Sequence, residues 1–427
     1  MGFEPIAELP VDPATARVYA EGWQSWSPAG VLPASASSPP AADARSQTMG
    51  RRPGKPVAPG CLQGEGLLAV SGPDEDTRAW LSPAAATIRL HAADGTLVVS
   101  ADGPVEEHRC AGGLAEALAF VGARLSPGRP REPEPAWCSW SCYFSRVTEE
   151  DVVENARAAA RLGLPIATFQ IDDGYAPCVG DWLDPSPAFG SLPRLAARLL
   201  DAGFRPGIWT APFVVGEDSA LAAAHPDWLV GDADAGHNWN QRLRVLDVTH
   251  ADAAAHLERV FRTLREWGFG FHKLDFLYAG ALDGRRSREC SGIEAYREGL
   301  RLIRRAAGDD ALLLGCGAPI FPSIGLVDAM RVGPDVLAED WAPGDPEPDI
   351  DGLVRATDAR AWMNRRLWIN DPDSLVVRPA LRRRDEWAAH VVAYGGLVGL
   401  GDRIAELDEH GLRLTRAALR SRAPRPS

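Results

Sequence analysis

Lysine is nearly missing from this chain of 427 residues: of 45 basic residues only Lys55 and Lys273 are lysines, so the other 43 are arginine. Long apolar runs are missing too, since no stretch approaches the roughly 18 uninterrupted apolar residues of a membrane span. The opening segment, MGFEPIAELPVDPATARVYA, has neither a basic n-region nor an apolar h-region. A soluble, cytoplasmic protein is the expectation. Cysteine is sparse, with seven residues and no CxxC or CxxH spacing, which argues against both a disulfide framework and a zinc site. Cys138 and Cys142 do form C-x3-C, but without further ligands two buried thiols are the simpler reading. Positive charge is in deficit: the net charge of −13 argues against nucleic acid or an anionic membrane as partner and favours a neutral small molecule. Neither a glycine-rich phosphate loop nor a G-x-S-x-G nucleophile appears, and no cofactor or metal is expected.

What is present is a globular composition, 45% hydrophobic and 24% charged, at a length that suits one α/β barrel of about 250 residues plus an appended module. The first 130 residues carry short alternating segments, such as Ala86 to His91 and Thr96 to Ser100 around the turn Asp94-Gly95, and read as a small β domain. Pro33 to Pro59, rich in Pro, Ala, Ser and Gly, reads as long surface loop. Glu21 to Pro28, EGWQSWSP, sets two indoles beside Gly and Pro, either for packing or as a sugar-stacking surface.

After the Pro- and charge-rich linker Ser126 to Pro135 the pattern changes to alternating strand and helix. Strands are predicted at Trp137–Phe144, Ile166–Tyr175, Arg205–Phe213, Leu243–Val248, Phe269–Ala279, Ala311–Ala318, Met330–Asp335 and Leu367–Asp371. The intervening helices include one from Thr148 to Gly163 with a Thr148-x-x-Asp151 cap. Eight strands, each followed by a helix or long loop, predict a (β/α)8 barrel over residues 136–405, with a helix and tail at 406–427.

Most of these strands end in polar residues: Asp172-Asp173, Trp209, Asp247, Lys273 with Asp275, Cys316, Arg331 with Asp335, and Asn370-Asp371. In such a barrel these ends gather at the C-terminal face, where active sites are built. Asp247 and Asp371 read better as helix N-caps. The run FGFHKLDFLYA is otherwise apolar, so Lys273 and Asp275 are costly there unless paired, and they project from one face of a strand. They could be a structural ion pair. Yet in a chain that uses arginine almost everywhere, a lysine at this point marks a site that needs a compact ammonium. Carboxylates flanking a bond, among tryptophans and acids able to take sugar hydroxyls, are the equipment of a glycosidase.

The segments GWQSWSP, WCSW, FQIDDGY, GDW, PGIWTAPF, HPDW, KLDFLYAGA, LGCGAP, MRVGPD and NDPD, in this order, resemble the bacterial α-galactosidases of glycoside hydrolase family 36. The resemblance covers residues 20–30 and 136–400. It implies a retaining (β/α)8 glycosidase releasing terminal α-D-galactose from small galactosides, with an N-terminal β-sandwich whose loop reaches the site. By this resemblance Asp275 is the nucleophile and Asp335 the general acid/base. Asp172, Asp173, Trp209, Lys273 and Arg331 match sugar-binding positions, as do Trp26 and Cys316. An α-N-acetylgalactosaminidase or a galactosyl transglycosylase would share the nucleophile and acid. A noncatalytic sugar-binding barrel would be free to lose either. The chain departs from the family in a shorter N-terminal part, whose sheet is expected to be incomplete, in ending near Ser427 without a C-terminal β domain, and in Tyr175 where many members carry Trp.

Lys273→Arg keeps the charge but moves it to a larger planar group. It is expected to lower kcat/KM by at least about a hundredfold. Unchanged kinetics would reduce the lysine to an accident of composition.

Overall fold

The computed structural model describes residues 2–72, 76–93 and 95–421. Two parts of the sequence reading, Asp94 in the turn and residues 422–427 of the tail, lie outside the described residues.

In the N-terminal part, apolar alternation of period two turns one face of each strand inward. Thr96–Ala101 buries every second residue, and so contributes Leu97 and Val99 to a core with Leu62, Val70, Trp80 and Leu90. One antiparallel sheet of four strands joins Glu4–Leu9, Thr96–Ala101, Thr87–Ala93 and Leu62–Glu65. A second, of five, joins Gly30–Pro33, Arg17–Ala20, Leu67–Ser71, Asp76–Leu81 and Glu106–Ala111. Both contribute to this core. The proline-rich segment is not all loop either: it contains a short helix, Ala44–Gly50, capped by Asp43 through the Ser46 N–H. A helix at Leu114–Leu125, which the alternating pattern had hidden, leads into the linker.

The following chain forms the barrel. Its strands are β1 (Ala136–Cys138), β2 (Thr168–Ile171), β3 (Arg205–Thr210), β4 (Phe271–Leu274), β5 (Leu312–Gly315), β6 (Ala329–Arg331), β7 (Ile369–Asp371) and β8 (Gly399–Leu400), parallel throughout and ordered so that each neighbours the next, with β8 returning to β1. The chain is thus a (β/α)8 barrel with an N-terminal β domain. The helix Glu149–Leu162 begins with the full Thr148/Asp151 capping box and stops at Gly163, which has φ 59°.

The strand predicted at Trp137–Phe144 stops at Cys138 and gives way to a short helix, Trp140–Tyr143, and two further readings fail. Leu243–Val248 is not a barrel strand: Gln241–Val245 pairs antiparallel with Val214–Gly216 and with His237–Asn238 in a small ribbon. Its one-sided pattern, with Leu243 and Val245 buried between more exposed arginines, differs from barrel strands such as β2 and β5, which are buried on both faces. The eighth strand is instead the two-residue β8 in the glycine-rich GGLVGLGD, too short for any propensity to mark. The Leu397 N–H donates to the Asn370 carbonyl (2.8 Å), and the Leu375 N–H to the Gly399 carbonyl (2.6 Å), closing the ring between β7 and β8. Any Cβ at Gly396 would lie 2.0 Å from the Asn370 carbonyl oxygen, so only glycine fits this approach.

One arginine makes the densest set of bonds between the two parts. The Arg360 guanidinium, 1% exposed, donates to Glu21 Oε1 (2.8 Å) and to the backbone carbonyls of Ser25 (2.8 Å), Ser27 (2.8 Å), Gln24 (3.3 Å) and Val332 (3.0 Å). The loop also hydrogen-bonds the turn after β5, through the Ser25 N–H to the Ala318 carbonyl (3.0 Å). It carries Trp26 onto Gly317, whose φ is 55° and where a Cβ would meet the indole at 2.8 Å.

Removing one partner of a buried ion pair leaves the other charge stranded. Arg360→Ala is therefore expected to cost about 3–5 kcal/mol, against near-neutral changes at an exposed arginine such as Arg157. Thermal melts of the two variants compare them directly, and an unchanged Tm for Arg360→Ala would mean that the clamp is not structural.

Candidate active site

β3 and β4 lie side by side with Trp209 paired to Lys273 in register, which brings the ends of both strands to one mouth. The strand at Lys273 is shorter than its apolar run suggests: it stops at Leu274, and Phe276 turns into the left-handed region at φ 49°. Asp275 is thus the first residue past the strand, held by its own N–H on the Thr210 carbonyl (2.8 Å). Its carboxylate accepts the Trp209 indole N–H at Oδ2 (2.9 Å) and the Phe276 N–H at Oδ1 (2.8 Å). The closest carboxylate to Lys273 is not Asp275, whose Oδ2 is 3.9 Å away, but Asp172, at 2.8 Å. Asp172 Oδ2 also accepts from Gln170 Nε2 (2.9 Å) and the Cys138 thiol (3.3 Å), and its Oδ1 from the Asp173 N–H (3.0 Å).

A cavity of about 570 Å³ opens over these groups. Of the residues singled out from sequence, Trp26, Asp172, Asp173, Trp209, Lys273, Asp275 and Asp335 line it. Arg331 and Cys316 stand behind the wall. Cys316, 1% exposed, backs Asp275, while Arg331 reaches Asp335 Oδ1 through Nη1 (2.9 Å), Asp371 Oδ2 through Nε (3.2 Å) and Asp373 Oδ1 through Nη2 (2.5 Å). Neither Asp247 nor Asp371 caps a helix. Asp247 accepts the Thr249 and Ser287 N–H groups in a loop, and His250 takes the cap of the next helix. Tyr175 is fully buried and does not line the cavity.

Three parts of the wall escaped the sequence reading. Trp140 donates its indole N–H to Asp335 Oδ2 (3.1 Å), so each oxygen of that carboxyl has a donor. Trp239 sits at a hairpin turn where it and Asn240 are both left-handed, at φ 48° and 56°, a geometry usually left to Asn and Gly. Its indole N–H reaches Asp173 Oδ2 (2.7 Å), and its ring packs on Trp209 and Phe276. Strain of this kind collects where a side chain must be aimed. The sequence signal was HNWNQ, a tryptophan between two turn-forming asparagines. The third part is the short N-terminal helix, which brings Arg45, Ser46 and Met49 to the cavity's outer wall.

Charge is distributed unevenly over the acids. Burial pushes Asp172 up, but Lys273 and the Gln170 amide outweigh it and its carboxyl stays below the ordinary range. For Asp275 burial wins over Lys273 and the Trp209 bond, raising the pKa. Asp335 is raised by its enclosure in the mouth and by the Asp373 charge, with Arg331 opposing. Burial carries Asp173 up to about 6 against the Trp239 bond.

The site is thus a barrel mouth that holds a cluster of carboxylates, a buried ammonium and indole walls. The sequence profile described as Melibiase matches residues 134–277. The α-galactosidase TtGalA of Thermus thermophilus, solved with p-nitrophenyl α-D-galactopyranoside, superposes with a TM-score of 0.81 at 28% identity, over 98% of this chain and 89% of that one. The bifunctional α-galactosidase/sucrose kinase AgaSK of Mediterraneibacter gnavus is 34% identical over 100 residues, 22% of this chain and 10% of that protein. The α-galactosidase AgaA of Geobacillus stearothermophilus is 27% identical over 184 residues, 39% of this chain and 25% of that protein. The matches therefore span a quarter or less of these two curated relatives. The chain is thus similar to the melibiase family over its first barrel strands and to solved α-galactosidases over nearly its whole length.

With its pKa near 6, Asp173 is protonated at pH 5 and ionised at pH 7. Trp239→Phe removes a bond to the charged form, so the titration is expected to move to higher pH. NMR of carboxyl-labelled protein reads this midpoint, and a downward or absent shift would contradict the assignment.

Proposed function

We propose that this protein is a retaining α-galactosidase, hydrolysing terminal α-D-galactosyl residues of small galactosides through a covalent glycosyl-enzyme. The observation that carries the reading is the pairing of Asp275 and Asp335 across one cavity, each carboxyl supplied with donors suited to a different task. Asp275 is the nucleophile that attacks the anomeric carbon as the anion; an indole N–H, a backbone N–H and a nearby ammonium favour that anion against the burial that raises its pKa. Asp335, raised in pKa and 42% exposed on the cavity, holds the proton that the leaving oxygen needs and then takes one from the attacking water. In the first step the Asp275–carbon bond forms as the glycosidic bond breaks and the proton goes to the departing oxygen. In the second step water replaces Asp275, restoring both carboxyls.

Asp172, Asp173 and Lys273 would bind sugar hydroxyls, and Trp209 and Trp26 would cover the apolar face of the ring. Asp172 is already tied to Lys273, Gln170 and Cys138, so it orients the ammonium as well as offering an acceptor. Arg331, behind Asp335, acts on the acid and not on the sugar in this reading. A cavity of about 570 Å³ is in the range of pockets that hold ligands larger than one sugar ring, which leaves room for an aglycone.

Hydrolysis of p-nitrophenyl α-D-galactoside should exceed that of the α-N-acetylgalactosaminide and α-glucoside analogues. A preference for the N-acetylated substrate would favour the galactosaminidase alternative. Asp275→Asn is expected to lose more than about a thousandfold in turnover while keeping its fold, and azide should rescue it to a product of inverted anomeric configuration. Near-native turnover in that variant removes Asp275 from the role.

A further inference from the structure

Asp373, in the NDPD segment, is assigned nothing by the reaction above, yet its geometry is costly. It is 1% exposed, and its backbone has φ 93°, in a region that residues with a Cβ seldom adopt. Two contacts hold it there. Oδ1 meets Arg331 Nη2 at 2.5 Å, and Oδ2 accepts the N–H of Val336, the residue directly after Asp335, at 2.6 Å. Its own N–H donates to Asp371 Oδ1 (3.0 Å), and Asp371 in turn takes Arg331 Nε. One guanidinium thus serves three carboxylates, Asp335, Asp371 and Asp373, of which only Asp335 faces the cavity.

From this arrangement we infer that Asp373 is a positioning residue for the general acid: it anchors Arg331 and the Val336 amide, and sets a second carboxylate on the guanidinium that Asp335 shares. The inference rests on the reading of Asp335 as the acid. Two effects on Asp335 oppose each other. Arg331 favours its anion, while a second anion sharing that guanidinium disfavours it. When Asp335 gives up its proton to the leaving group, the arginine is already in bonding distance and needs no movement, which is preorganisation of the kind that lowers reorganisation cost. The neighbours of Asp335 from other elements are Lys273, Asp172, Cys316 and the Trp140 indole, and those of Asp373 are Arg331, Asp371 and Lys273. The directions agree: burial and then the Asp373 charge raise Asp335.

Asp373→Asn is the test, because asparagine tolerates the left-handed backbone at least as well as aspartate and can still accept the Val336 N–H. Loss of the charge should lower the Asp335 pKa, moving the basic limb of the kcat/KM profile down by about one pH unit. A poor leaving group depends on the acid more than a good one, so methyl α-galactoside should lose about a hundredfold and p-nitrophenyl α-galactoside less than about tenfold. In an Asp335→Asn background the added Asp373→Asn should change nothing further. Equal losses on both substrates with an unmoved basic limb, or additive losses in the double variant, would overturn the inference while leaving Asp335 as the acid. Near-native activity of Asp335→Asn on the methyl glycoside would overturn the acid assignment itself, and this inference with it. Should Asp373→Asn be unstable in a thermal melt, Asp373→Ser, which deletes the charge but keeps an acceptor for Val336, is read by the same criteria.

Discussion

A guanidinium sealed from water is tolerable only if every N–H finds an acceptor and its charge finds a partner. Arg360 meets both conditions with five hydrogen bonds, one to Glu21 and four to backbone carbonyls, three of which belong to the loop that precedes Pro28. The fourth belongs to Val332, the residue that follows Arg331 at the end of β6. One side chain therefore fixes the path of the N-terminal loop and the strand end that carries the arginine behind Asp335. Lysine could not do this, since its three donors radiate from a point. The arginine-rich composition is put to structural use here, while the ammonium at Lys273 is kept for the cavity.

The cavity repeats the same logic on a smaller scale. Four of its acids have fixed donors: Asp172 is held by an ammonium, an amide and a thiol, Asp173 by an indole, Asp275 by an indole and a backbone amide, Asp335 by an indole and a guanidinium. Four carboxylates so close would repel one another strongly in a dry site. Graded donors spread their affinities for protons, so that the group tied to Lys273 is the most acidic and those with weaker support stay nearer neutrality.

Much of this was legible in the sequence because it follows from period and cost. The two-sided apolar strands and the capping box at Thr148 read directly, and a lysine and an aspartate inside an apolar run announced themselves by expense. Where reading failed, the deciding physics was not local. Gly399–Leu400 is a strand because Ala136 and Trp137 of β1, far away in the chain, offer it a parallel partner. Leu243 and Val245 have the alternation of a strand, and nothing nearby says which sheet will receive it. Trp239 and Asp373 occupy left-handed backbone that their residue types do not advertise, and Pro33–Pro59 looks like filler until its helix is seen to wall the cavity. Lys273 does meet Asp275 at 3.9 Å, but its shorter bond to Asp172 was not legible, because a spacing of two residues says nothing of a neighbouring part of the barrel wall.

The ring of strands has a seam. Between β7 and β8 closure depends on a few amide bonds around Asn370, Leu375 and Gly399, with a glycine at 396 where the backbones pass too closely for any side chain to add packing. Such a place opens ahead of the whole. β7 ends in Asp371, a support of Arg331, and Asp373 follows two residues later, so a seam that breathes would loosen the acid's scaffold while the opposite wall, with Asp172, Lys273 and Asp275, stayed intact. On heating, such a barrel would lose the setting of Asp335 before it falls apart, with the wall around Lys273 still standing.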